Sequence, residues 1–166
     1  MRTFTNCMLI AGAACVPVRA AAQESAAAVV GAGVGGTYYC IVSRCDTGTT
    51  ILGMGGYAPA PFLLVEAAVR WHQCFDCDRF VIVEGGLQLR YPGRRLEPFV
   101  AGGVGLSSDP EFMGDQFGLH AAAGTWIRVS PRWGLKTEVR GRQVGGGDLM
   151  GEASVAVAYR FLRGPS

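Results

Sequence analysis

The chain is 166 residues long, enough for one domain of ordinary size and too short for a catalytic domain plus a separate binding domain. Hydrophobic residues make up 49%, charged residues 17%, and there are 25 glycines, which excludes a disordered charged tail and a highly charged helical protein. The 15 basic residues oppose 13 acidic ones, but Arg2 and Arg19 lie in a segment expected to be removed, so the remainder is neutral and nucleic acid is not an expected partner.

That segment is 1–22. Arg2 precedes an apolar run from Met8 to Val16, and the small residues Ala20, Ala21 and Ala22 precede Gln23. This is the layout of a secretory signal peptide, and the apolar run is far shorter than the roughly 20 residues a spanning helix needs. Residues 23–166 are then the mature domain.

Beyond Gln23 the hydrophobic pattern has a period of two, the mark of strands with unlike faces. Glycines blur the first two, near Val29–Tyr39 and Thr49–Tyr57. Phe62–Trp71 sets Leu63, Val65, Ala67 and Val69 against Glu66, Ala68 and Arg70. Arg79–Tyr91 sets Val81, Val83, Leu87 and Leu89 against Glu84, Gly86, Gln88 and Arg90. Phe99–Leu106 is glycine-rich and of ambiguous facing. In Phe117–Val129, Leu119, Ala121, Ala123 and Ile127 alternate with His120, Ala122, Gly124, Trp126 and Arg128. Leu135, Thr137, Val139 and Gly141 alternate with Lys136, Glu138, Arg140 and Arg142. The last strand sets Val155, Val157, Tyr159 and Phe161 against Glu152, Ala156, Ala158 and Arg160.

These are eight strands. Ala58–Pro61, Pro92–Pro98 and Ser130–Trp133 are tight, proline-bearing connections. Cys40–Gly48, His72–Asp78, Ser107–Gln116 and Gly145–Met150 are expected to be longer loops at the opposite end. An even strand number with short turns at one end and longer loops at the other predicts an all-β, eight-stranded antiparallel up-and-down transmembrane β-barrel. The aromatics separate into two bands: Tyr57, Phe62, Tyr91, Phe99, Trp133, Tyr159 and Phe161 near the short turns, and Tyr38, Tyr39, Trp71, Phe75, Phe80 and Phe117 near the loops. Two such bands match the girdles that flank a lipid belt. Outer-membrane lipid is therefore the expected partner of the apolar face.

The face opposite the lipid carries Glu66, Arg70, Glu84, Arg90, Lys136, Glu138, Arg140, Arg142, Glu152 and Arg160. Eight strands enclose an interior just wide enough for side chains, and buried charges must pair, so these ten residues are expected to form a lumen charge network. The alternative is a secreted or periplasmic soluble barrel that shows these charges to water and binds a small apolar ligand inside.

Three segments, EPFVAGGVGL (97–106), GTWIRVSPRWGLKTEVRGR (124–142) and SVAVAYRF (154–161), resemble the small OmpA-like eight-stranded outer-membrane barrels of Gram-negative bacteria. The resemblance covers roughly the last two-thirds of the chain well and the first third by strand count only. It implies location in the outer membrane, contacts with the outside through loops, and an assembly signal in the final strand, here Tyr159 and Phe161, read by the barrel-assembly machinery. The chain departs from that signal by continuing from Leu162 to Ser166. Neither a peptidoglycan-binding segment after the barrel nor a cell-wall tether is expected.

Cys40, Cys45, Cys74 and Cys77 remain after the signal. In an oxidising compartment they are expected to form two disulfides, either local to each loop or crossed between loops, and this is favoured over four thiolates on zinc. Asp46, Asp76 and Asp78 have too common a spacing to argue for a cation. His72 and His120 have no neighbouring serine in sequence, Ser43, Ser107 and Ser108 fall on loops, and His120 is expected to pack in the lumen beside Arg128 and Trp126. The run Gly31-Ala32-Gly33-Val34-Gly35-Gly36 lacks a following helix and is not a nucleotide fingerprint. No catalytic residue, metal or cofactor is expected.

Overall fold

The computed structural model describes residues 26–41, 44–74, 79–108, 116–144 and 148–162. The strands are β1 (Ala26–Ile41), β2 (Arg44–Ala60), β3 (Leu63–Cys74), β4 (Phe80–Arg90), β5 (Leu96–Ser108), β6 (Gln116–Arg128), β7 (Trp133–Val144) and β8 (Asp148–Leu162). Each pairs antiparallel with its neighbours in sequence, and β1 also pairs with β8, so the sheet closes into a barrel with no free edge. The segment 1–22 expected to be removed lies outside the described residues.

The side chains alternate inward and outward along every strand. The outward set holds Val34, Ile51, Val83, Leu87, Val100, Leu119, Val139 and Val157, all well exposed. The inward set holds the ionised groups. Among the described residues, the exposed arginines Arg79, Arg94, Arg95 and Arg132 all lie outside the strands, and no exposed acid or lysine occurs. A soluble barrel has the reverse arrangement, because water tolerates charge and a sealed core does not. The soluble alternative fails on this point, since the apolar faces here need lipid to cover them.

Several boundaries differ from the sequence reading. The segment Cys40–Gly48 is mostly strand, with only 42–43 joining β1 to β2. Ser107 and Ser108 belong to β5 rather than a loop, and Ser107 is buried. Antiparallel pairing simply continues past the lipid belt wherever partner strands run on. β1 and β2 have 16 and 17 residues, whereas about 9–11 suffice to cross when tilted.

The aromatic bands are also corrected in part. Tyr57, Phe62, Tyr91, Trp133 and Phe161 point outward near the short turns, and Tyr38, Trp71 and Phe117 do so near the other rim. Phe99 instead points inward and is buried, because Val100, Val104 and Leu106 take the lipid side of β5. Phe80 stacks on the inward His72 with ring centroids 4.8 Å apart. Tyr39 is half-buried, and its hydroxyl donates to Asp46 at 3.3 Å. Phe75 lies outside the described residues.

Large inward side chains need space from the strands facing them, and Gly124 supplies it. A Cβ there would overlap the Thr137 carbonyl oxygen and sit 2.7 Å from Cζ of Phe99. Gly124→Val is expected to lower stability by about 1–3 kcal/mol through overpacking. Urea unfolding of the refolded protein checks this, and an unchanged midpoint would mean that Phe99 and β7 give way freely.

Candidate functional site: the lumen and its two rims

The ten charged residues picked out in the sequence are all buried in the lumen. They fall into two groups. Glu66, Arg70, Glu84, Lys136, Glu138, Arg140, Arg142 and Glu152 form one continuous network, four cations with four anions. It joins β3 and β4 to β7 and β8, and β3 and β7 stand four strands apart on opposite walls.

Arg70 is the hub. Its Nε donates to Glu84 at 2.5 Å, its Nη2 donates to Glu138 at 2.9 Å, and its Nη1 donates to Glu152. The planar fork thus serves three carboxylates from three strands, which a lysine could not do. Lys136 donates to both oxygens of Glu66 at 2.8 and 2.7 Å and lies 2.8 Å from Glu138. Arg140 donates to Glu138 at 2.8 Å and pairs with Glu84 at 2.7 Å. Arg142 donates to Glu84 at 2.5 Å. Beside this network, a cavity of about 10 Å³ is lined by Glu66, Glu84, Gln88, His120 and Arg140. That is room for about one water.

Arg90 and Arg160 belong to the second group, nearer the short turns. Its centre is Glu97, which sequence reasoning missed because β5 was begun at Phe99 with its facing unresolved. Glu97 accepts from Arg128 at 2.5 Å and from Arg160 at 3.0 Å, with Arg90 at 3.9 Å. Three guanidinium groups therefore share one carboxylate. The larger aliphatics Val100, Val104 and Leu106 on the other face of β5 were the signal that could have turned Glu97 and Phe99 inward.

An aromatic layer separates the two groups. Gln88, Phe99, Trp126 and Ala158 each precede or follow Arg90, Glu97, Arg128 and Arg160 by two residues, one same-face step along their strands. Trp126 donates its indole N–H to Gln88 at 2.7 Å, and the Lys136 ammonium lies 5.2 Å from the Phe99 ring and 5.7 Å from that of Trp126. Both distances fall within cation–π range.

The histidines are inside. His72 shares a 2.8 Å hydrogen bond with Thr50, and His120 lies 3.7 Å from Glu84. His120 is not beside Arg128 and Trp126, because six to eight residues along a strand is roughly 20 Å or more. At the loop rim Cys40 and Cys45 are directly opposed across β1 and β2 and form a disulfide. The Cys74 side chain and Cys77 lie outside the described residues, and no cluster of three or more His, Cys, Asp or Glu side chains able to hold a metal ion occurs among the described ones. On the outer wall of the other rim, Tyr159 packs edge-on against both Trp133 and Phe161, with centroids 5.2 and 5.0 Å apart.

A charge-lined interior under an apolar exterior is the arrangement of a membrane barrel, and a family model agrees: outer membrane protein beta-barrel domain, matching residues 8–161. The chain belongs to this family. Its place is the outer membrane. No curated protein matches the chain. Among solved structures, neisserial surface protein A is similar, with a TM-score of 0.70, 14% identity, and coverage of 81% of this chain and 97% of that one. The N-terminal barrel domain of Pseudomonas aeruginosa OprF has a TM-score of 0.56 at 16% identity, covering 81% and 99%. Ail, the attachment invasion locus protein of Yersinia pestis, solved with the heparin analogue sucrose octasulfate, has a TM-score of 0.56 at 11% identity, covering 82% and 99%. At these identities the shared feature is the small outer-membrane barrel fold.

Proposed function

We propose that this outer-membrane barrel is a non-enzymatic protein of structural and surface-contact role, with its lumen closed to solutes by its own ion pairs. The neutral network centred on Arg70 carries that proposal. It ties opposite walls together, and the cavity beside it has room for about one water. Both histidines are buried in the lumen, His72 hydrogen-bonded to Thr50 and His120 3.7 Å from Glu84, away from the lipid face where a lipid-modifying site would need them. In planar bilayers the refolded protein is expected to give no stable open channel. Removing one balanced pair, Glu66→Ala with Lys136→Ala, is expected to produce brief conductance events. Steady wild-type conductance would contradict a closed lumen.

The surface-contact part draws on the β1–β2 hairpin, which is longer than a membrane crossing requires and is tied near its tip by Cys40 and Cys45. The sequence at and between the strand ends of that rim holds Asp46, Asp76, Asp78, Asp109, Glu111, Asp115 and Asp148 against Arg44 and Arg79. An acidic rim repels sulfated glycans such as the heparin analogue seen on Ail, and favours neutral or basic partners instead. Removal of residues 1–22 on export, and reading of Tyr159 and Phe161 by the barrel-assembly machinery, complete the proposal. Phe161 stands exposed on the outer wall and Tyr159 packs against it, where an assembly factor can reach the edge of β8 before the barrel closes.

A further inference from the structure

The short-turn rim is as basic as the loop rim is acidic. Among the described residues it holds Arg90, Arg94, Arg95, Arg128, Arg132 and Arg160, with Glu97 as its acid. Glu97 offsets one of the three guanidinium groups gathered on it, and Nε of Arg90, Nε of Arg128 and Nη1 of Arg160 remain buried without a hydrogen-bond partner. Arg94, Arg95 and Arg132 are exposed, and none makes an ion pair with a described carboxylate.

Their height relative to the bilayer is marked by the aromatics. Arg132 donates from Nη1 to the Tyr159 hydroxyl at 3.3 Å, and Tyr159 packs between Trp133 and Phe161 on the lipid side of the barrel. Arg94 and Arg95 occupy the connection that begins at the outward-facing Tyr91. Tyr and Trp at a barrel rim sit at headgroup depth. The exposed guanidinium groups are therefore level with lipid phosphates, not out in the aqueous phase. Short turns face the periplasm in this fold, so the lipids at that depth are those of the inner leaflet.

We propose that the periplasmic rim, through Arg94, Arg95 and Arg132 over the positive Glu97 cluster, binds the phosphate headgroups of anionic phospholipids in the inner leaflet of the outer membrane. Guanidinium groups bind phosphate bidentately, and excess positive charge beneath them adds to the attraction.

The full mature chain in nanodiscs containing spin-labelled phosphatidylglycerol or spin-labelled phosphatidylcholine tests this by electron paramagnetic resonance of the protein-associated lipid. A preference for phosphatidylglycerol on the order of threefold or more is expected at low salt, falling toward one at about 1 M salt. The variant Arg94→Gln with Arg95→Gln and Arg132→Gln should lose it while keeping its heat-dependent gel mobility, which reports folding. Inorganic phosphate at fixed ionic strength should leave the preference intact, as a site for lipid rather than dissolved anion requires. Equal association of the two lipids with the wild type, or a preference that survives the triple substitution, would overturn the proposal. So would capture of soluble polyglutamate by the rim with no lipid preference, which would assign it to a soluble anionic partner.

Discussion

Replacing Arg70 by alanine is expected to destabilise the folded barrel by about 3–5 kcal/mol, the usual cost of removing one partner from a buried ion-paired group. The side chain is only 1% exposed, and its three nitrogens serve Glu84, Glu138 and Glu152. Without it those three anions remain in the lumen beside Lys136, Arg140 and Arg142. A balanced network becomes one with an uncompensated negative charge. Arg70→Lys should recover only part of the loss, because one ammonium does not reproduce a planar fork aimed at three strands. Equilibrium unfolding in urea, followed by tryptophan fluorescence of protein refolded into vesicles, measures both variants. A loss below about 1 kcal/mol for Arg70→Ala would show that the network relaxes around the vacancy and that Arg70 is not its hub.

The second large effect is on the opposite face. Val139, near the centre of β7, is 67% exposed to the surroundings of the barrel, and Val157 of β8 is 51% exposed. Arginine at Val139 must place its charge in hydrocarbon, so Val139→Arg is expected to cost about 2–4 kcal/mol and to impair membrane assembly, whereas Val157→Arg, one outward-facing step from the girdle residue Tyr159, should cost less. Leu96→Arg, at the short-turn end of β5 and equally outward, should cost only about 0–1 kcal/mol because the side chain reaches the headgroups. The contrast among the three positions separates a depth effect from a general intolerance of arginine. Equal folding yields for all three would mean that lipid does not cover this face.

Strand number, order and the facing of five strands could be read from the sequence, because charge and aliphatic residues alternate without a break in β3, β4, β6, β7 and β8, and Lys136, Glu138, Arg140 and Arg142 all mark one wall of β7. What alternation could not supply was depth and pairing. It assembled the ten lumen residues as one set, whereas the aromatic layer of Phe99 and Trp126 divides them into a neutral network and a cationic cluster. Phe99 misled because a lone aromatic near a turn fits both a girdle and a core, and only its neighbours Val100 and Val104 decide between them. Strand ends were illegible for another reason. Hydrophobic periodicity stops at the edge of the lipid belt, while backbone pairing continues, as in β1 and β2 up to the Cys40–Cys45 pair.

The most direct test of an apolar wall facing lipid around an ion-paired lumen is fractionation of cells expressing the protein, followed by gel mobility of each fraction with and without boiling. Recovery in the outer membrane, with an unboiled band that shifts on heating, is the predicted result. Release into the soluble periplasmic fraction would contradict it, because the exposed faces of Val139 and Val157 would then have nothing to cover them.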